Sequence, residues 1–174
     1  MIDLFATESP IASMNFLKLC KLKQYNDCKF FSVQKDFAVQ TGDPSNTGEG
    51  GKSIYSFLSR DETDGKEESE HFGRFFKDEI HVDKEQNVQL KHDHIGTVSC
   101  ANFGREDTNQ SQFLITTRDC VPDLDGKHTI FGRVMEGLDV LQRINEAYCD
   151  EKGRPWQNIR IKHTIVLDDP FDDP

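Results

Sequence analysis

The chain has 174 residues, 35% of them apolar, with 31 acidic against 21 basic side chains and a formal charge of −10. That length fits one domain, and thirteen phenylalanines are enough for one real core. The acidic balance argues against direct nucleic-acid binding, which needs a basic surface, and no stretch approaches the ~20 apolar residues of a membrane span.

Residues 2–5 (IDLF) begin like a strand. Ser9 followed by Pro10 is a helix start, an N-cap hydroxyl before proline at the first helical position. Ala12, Phe16, Leu19 and Cys20 recur at three- and four-residue spacing and predict an amphipathic helix over 10–22. Residues 29–40 are rich in aromatic and β-branched types and read as one or two strands. The run TGDPSNTGEGG (41–51) is a glycine-rich loop. Residues 59–91 read as an acidic insertion, with six acids and one lysine in 61–70.

Strand character resumes at 96–104, 112–117 and 128–134. Leu138, Leu141, Ile144 and Ala147 form a second helical stripe after Gly137. Ile159, Ile161, Ile165 and Leu167 alternate with polar residues and predict a half-buried strand. An acidic tail, 168–174, follows. A mostly β chain with two helices suggests a closed sheet plugged at its ends, a barrel, in one domain over 1–174.

The opening MIDLFATESP lacks the basic start and apolar run of a signal peptide. Five cysteines (20, 28, 100, 120 and 149) are odd in number and contain no CxxC, which favours a reduced intracellular protein, cytosolic or nuclear.

Motif by motif, most chemistry falls away. Gly50-Gly51-Lys52-Ser53 resembles the end of a phosphate-binding loop, but Asn46 stands where that loop needs another glycine, so a tight turn is favoured. His92 and His94, or Asp123, Asp125 and His128, contain ligand types without a recognised metal spacing; turn and surface roles are favoured. No serine or cysteine is visibly placed beside a histidine, so nucleophilic catalysis has no support.

Three blocks remain: DFAVQTGDPSNTGEGGKSIY (36–55), VSCANFGREDTNQSQFLITT (98–117) and LDGKHTIFGRVMEGLDVL (124–141). Their content and order resemble the cyclophilin family of peptidyl-prolyl cis/trans isomerases, as does NFLKLC (15–20). The ending HTIVLDDPFDDP resembles a nuclear branch whose isomerase domain precedes an RNA-recognition motif and which is linked with splicing. The resemblance implies a closed antiparallel barrel capped by two helices, no cofactor or metal, and proline-containing peptides or proteins as partners of a monomer.

It also implies a proline pocket. Phe37, Leu114 and Leu124 would wall the ring, with Ala38 and Ala101 beside them. Gln40, Asn102 and Gln112 would hold the peptide backbone, with His128 at the rim.

Several positions depart from the family. Its catalytic arginine corresponds to Ser32. A pocket methionine, a second phenylalanine and a tryptophan become Ala38, Leu114 and Asp123. The tryptophan contacts cyclosporin in the family, so weak drug binding is expected. Losing one preorganised donor costs ~10²–10³-fold in rate elsewhere, so weak turnover is expected, with Lys35 or Arg105 as replacements in principle. The alternative is a non-catalytic module that recruits proline-containing segments in RNA processing.

Cyclophilins also begin with a strand before the segment matching Ile2, and that first strand is absent. Either the start lies upstream, or the tail or a neighbouring molecule fills the gap.

Overall fold

Period-two alternation along short apolar segments builds a two-faced sheet. The computed structural model describes residues 1–58, 73–85 and 87–171, and these contain six strands. They are β1 (Ile2–Leu4), β2 (Ser32–Gln34), β3 (Ala38–Thr41), β4 (Thr97–Cys100), β5 (Phe113–Thr116) and β6 (Ile130–Val134). All pair antiparallel in the order β1-β6-β4-β5-β3-β2. The helices are α1 (Pro10–Lys21), the single turn α2 (Tyr55–Leu58) and α3 (Leu138–Asn145).

The inner face presents Val33, Val39, Val98, Cys100, Phe113, Ile115 and Phe131 to Ala12, Leu19 and Cys20 of α1 and to Leu141 and Ile144 of α3. Phe16 sits in the middle of an aromatic cluster, its ring centroid 5.2 Å from those of Phe113 and Phe131 and 5.3 Å from Tyr25. The Tyr25 hydroxyl donates to the Ser111 carbonyl at 2.9 Å, so this buried phenol has its partner.

Helix α1 starts where expected but is capped differently. The Ser9 hydroxyl is buried and donates to the Ile130 carbonyl at 2.6 Å. The free amides of Ile11 and Ala12 instead donate to the Glu79 carboxylate at 3.0 and 2.8 Å. A carboxylate at a helix N-terminus also meets the positive end of the helix dipole. Glu79 belongs to the stretch expected to be an insertion up to about residue 91. The acidic run 61–70 lies outside the described residues, but from Gly73 the chain is built into the fold. Phe76 joins the core and bridges to Asn109.

The mostly β antiparallel fold is as expected, but among the described residues the strand ladders do not close into a barrel. Among the described residues β1 and β2 are the sheet's edges. The predicted last strand touches the fold by one bridge, Lys29 to Arg160, and by backbone hydrogen bonds to Asp27, Cys28 and Phe30. No ladder joins it to β1. Its alternation also slips. Ile159, Ile161 and Val166 pack on the core, whereas Ile165 and Leu167 are 73% and 77% exposed. Thr164 turns inward to donate to the Cys20 carbonyl, which shifts the phase by one residue.

Candidate functional site

The outer face of the same strands carries the residues singled out by sequence. Register places Gln40 opposite Leu114, and Leu114 opposite Ser99, so all three share that face. Phe37, Ala38, Ala101, Leu114 and Leu124 meet there in a second apolar cluster, separate from the main core. Val121, fully buried, completes it and was not singled out by any motif. Phe37 alone is only partly buried, so its ring is the accessible wall.

Phe37 is aimed from a distance. The turn before it places Asp36 at φ 54°, and Asn145 at the end of α3 holds that turn from both sides. Its Oδ1 accepts the Asp36 amide, and its Nδ2 donates to the Asp36 carboxylate, both at 2.9 Å.

The polar side of the cluster is a chain of amides. Gln112 donates through Nε2 to the carbonyls of Gly48 and Gly50, at 3.0 and 2.8 Å, so its Oε1 is an acceptor. Gln40 donates to that oxygen at 2.9 Å and keeps its own Oε1 for another partner. Gln112 is therefore tied to the glycine-rich loop, and Gln40 is tied to Gln112.

The glycine-rich loop behind them winds around one buried carboxylate. Asp43 accepts the amides of Ser45, Gly48 and Gly50 at 2.8, 2.6 and 3.2 Å, and the Ser45 hydroxyl at 2.7 Å. A β-carbon at Gly50 would collide with Asp43 and Ser45. The amides that a phosphate-binding loop turns toward its ligand are here taken by the chain's own anion.

At the opposite rim, Asn102 and His128 line a cavity of about 480 Å³ together with Arg105 and Lys127. The Asn102 side chain is used internally, donating to Lys127 O at 2.8 Å and accepting the Gly104 amide at 3.1 Å. Its backbone N–H and C=O make no hydrogen bond among the described residues. His128 Nδ1 lies 2.9 Å from the Cys100 carbonyl, which can only accept. The proton is therefore on Nδ1, and Nε2 is an acceptor. Burial holds His128 below the usual histidine pKa.

The loop that carries Leu124 is fixed by a buried histidine. Asp125 accepts both the backbone amide and the ring Nδ1 of His92 at 2.8 Å, and the Ser99 hydroxyl lies 3.0 Å from Nε2. Burial pushes the His92 pKa down, against the opposing pull of Asp125. A histidine lowered in the fold binds its proton more readily when unfolded. Its contribution is complete above the unfolded value of ~6.5 and is lost as pH falls through the folded value. The urea midpoint is therefore expected to drop between about pH 7.5 and about pH 5.5, and to drop less in His92→Gln. An equal drop in both would remove His92 as the cause.

Ser32 sits directly opposite Gln40 in the β2–β3 ladder, half-buried, on the face that carries the cluster. Its hydroxyl makes no hydrogen bond among the described residues. Of the two possible replacements, Lys35 is exposed near the hairpin turn, and Arg105 lines the cavity beside Asn102 and His128. His92 bonds to Asp125 and Ser99, and no group of three or more His, Cys, Asp or Glu side chains among the described residues is placed to hold a metal ion.

An antiparallel sheet with a second apolar cluster on its outer face, beside glutamine, asparagine and histidine, defines the class of fold. The family described as "Cyclophilin type peptidyl-prolyl cis-trans isomerase/CLD" matches residues 1–166, and the chain belongs to it. It is 55% identical over its full length to "Peptidyl-prolyl cis-trans isomerase CYP59" of Arabidopsis thaliana and 48% identical to human "Peptidyl-prolyl cis-trans isomerase-like 4". It spans only 31% and 32% of those relatives. A crystal structure of a cyclophilin-type isomerase from Cryptosporidium parvum, determined in the presence of the dipeptide Ala-Pro, superposes with TM-score 0.78 at 32% identity. That match covers 97% of this chain and 92% of the other. No helix among the described residues is long and apolar enough to cross a membrane.

Proposed function

We propose that the domain is a peptidyl-prolyl cis/trans isomerase of modest rate, acting on proline-containing segments of proteins. The observation that carries this is the convergence of Phe37, Ala38, Ala101, Leu114, Val121 and Leu124 into one apolar floor beside Gln40, Asn102 and His128. Rotation about an Xaa-Pro bond must break amide resonance, a barrier of ~18–20 kcal/mol. The chemistry needs neither nucleophile nor metal, only tighter binding of the twisted amide than of either planar form. The apolar floor takes the pyrrolidine ring, while Gln40 Oε1 and the free backbone groups of Asn102 take the flanking peptide. The Ala-Pro dipeptide named with the Cryptosporidium parvum structure supports this substrate class.

Ser32 favours a second reading, a recognition module that binds proline without turning it over. Likeness to the nuclear branch supports a nuclear setting in RNA processing for either. A monomeric domain completes the proposal. Asp123, where the family has a tryptophan, supports weak cyclosporin binding.

Exchange NMR on a short Xaa-Pro peptide tests this. Cis/trans exchange accelerated above the uncatalysed rate of tens to hundreds of seconds identifies an isomerase. Shift changes at Phe37, Gln40 and Asn102 without acceleration identify the recognition module. No binding sinks both.

A further inference from the structure

We propose that Tyr148 and Trp156 form a second recognition platform, which takes a polyproline-type stretch of the client whose proline enters the candidate site. This rests on the reading of the domain as one that acts on proline-containing segments. The two side chains are 86% and 78% exposed, more than any other large apolar side chain among the described residues. Both belong to a short hairpin after α3, joined by the antiparallel bridge between Cys149 and Pro155. Around that bridge the Trp156 amide donates to Tyr148 O at 3.0 Å, and the Asp150 amide to Arg154 O at 2.9 Å. Tyr148 and Trp156 are therefore directly opposite, with their side chains on one face and β-carbons roughly 5 Å apart. Cys149, on the other face, packs against the core.

The hairpin is braced on three sides. Asp150 Oδ1 accepts the amides of Lys152 and Arg154, both at 2.9 Å, and closes the turn. The Gly153 carbonyl accepts the Val33 amide at 2.8 Å, which ties the hairpin to the edge of β2. The Arg154 guanidinium donates to Thr47 O at 2.8 Å. Tyrosine and tryptophan on a fixed frame have little freedom left to lose on binding, and they are the residue types that most often anchor an interface.

Position and chemistry select the occupant. Asn145, three residues before Tyr148, aims Phe37 through Asp36. Val33, which holds Gly153, follows Ser32 of the site face, and Thr47 belongs to the glycine-rich loop behind Gln112. A chain that leaves the proline floor across β2 therefore arrives at the hairpin. A polyproline II helix has no internal hydrogen bonds. Its carbonyls can accept from the Trp156 indole N–H and the Tyr148 hydroxyl while its pyrrolidine rings lie on the aromatic faces. Two rings make too short a strip for an amphipathic helix, which docks through anchors spread over about two turns. A net charge of −10 disfavours a nucleic acid.

Trp156 is the one tryptophan in the sequence, so its fluorescence reads this face directly. The probe is acetyl-hexaproline-amide, added to the full chain. A saturable change in Trp156 emission is expected, and it persists with an Ala-Pro dipeptide in large excess. A hexapeptide of alternating glycine and serine is expected to give none. Tyr148→Ala should weaken hexaproline binding at least about tenfold while leaving cis/trans exchange of a short Xaa-Pro peptide unchanged. No saturable change, an equal response to the Gly-Ser peptide, displacement by Ala-Pro, or undiminished binding in Tyr148→Ala would each overturn the platform. So would a loss of exchange in that variant, which would make the hairpin part of the pocket. Absence of both exchange and shift changes at Phe37 and Gln40, with the Trp156 response intact, would instead overturn the isomerase reading and leave the platform standing.

Discussion

Ser32→Arg is expected to raise turnover on a short Xaa-Pro peptide by about 10²–10³-fold, the usual worth of one preorganised transition-state donor. Register places the substituted side chain opposite Gln40, on the face that carries Leu114 and Ala38. The long arginine can therefore extend over the apolar floor and donate toward the proline nitrogen as it loses conjugation with the carbonyl. That interaction exists only in the twisted state, so kcat rises while KM changes little. The fold should tolerate the change, because Ser32 lies on an edge strand, is half-buried and gives up no hydrogen bond. Exchange NMR on both proteins reads the effect. Equal rates would mean that a donor already present serves the reaction, and Arg105→Ala would then be the variant to compare.

Asp43→Ala is expected to cost about 3–5 kcal/mol of stability, the range seen when one partner of a buried polar network is removed. Its carboxylate is fully buried and accepts three backbone amides and a serine hydroxyl. Deleting it strands those amides at ~1–3 kcal/mol each before relaxation. The damage reaches the site, because Gly48 and Gly50 hold Gln112, and Gln112 holds Gln40. Peptide affinity is expected to fall together with the urea midpoint.

The pH dependence has a definite sign. Burial alone would raise the Asp43 pKa, but the hydrogen bonds from Ser45, Gly48 and Gly50 outweigh it and hold the group below its ordinary value. Its contribution is present above the unfolded value of ~3.9 and disappears as pH falls through the folded one. The gap between the natural protein and Asp43→Asn should therefore narrow in strongly acid solution. A constant gap would mean that the carboxylate charge is not what the loop requires.

Much of this arrangement was legible in the sequence because it rests on local periodicity. The stripe of α1 is read from its three- and four-residue spacing and the strands from their composition, whereas Phe37, Gln40, Gln112 and Leu114 stand out only through the resemblance of their blocks to a known family. What could not be read depends on pairings between distant residues. Ser9 has the chemistry of a cap, yet tertiary contact turns its hydroxyl to Ile130 and gives the capping to Glu79. His92 looked like a surface residue or metal ligand until Asp125 was brought against it. The slip at Thr164 follows from a single bond to α1 that no alternation pattern encodes.

The contact between Asp36 and Asn145 also bears on how the protein is made. These residues are 109 apart in sequence, and among the described strands β1 pairs with β6, near residue 130. During synthesis β1 and the turn that aims Phe37 both emerge long before their partners. Such high contact order slows folding and leaves apolar strands uncovered in the meantime. The pocket therefore cannot be completed until the segment around Asn145 has emerged from the ribosome, and until then its apolar strands stay uncovered.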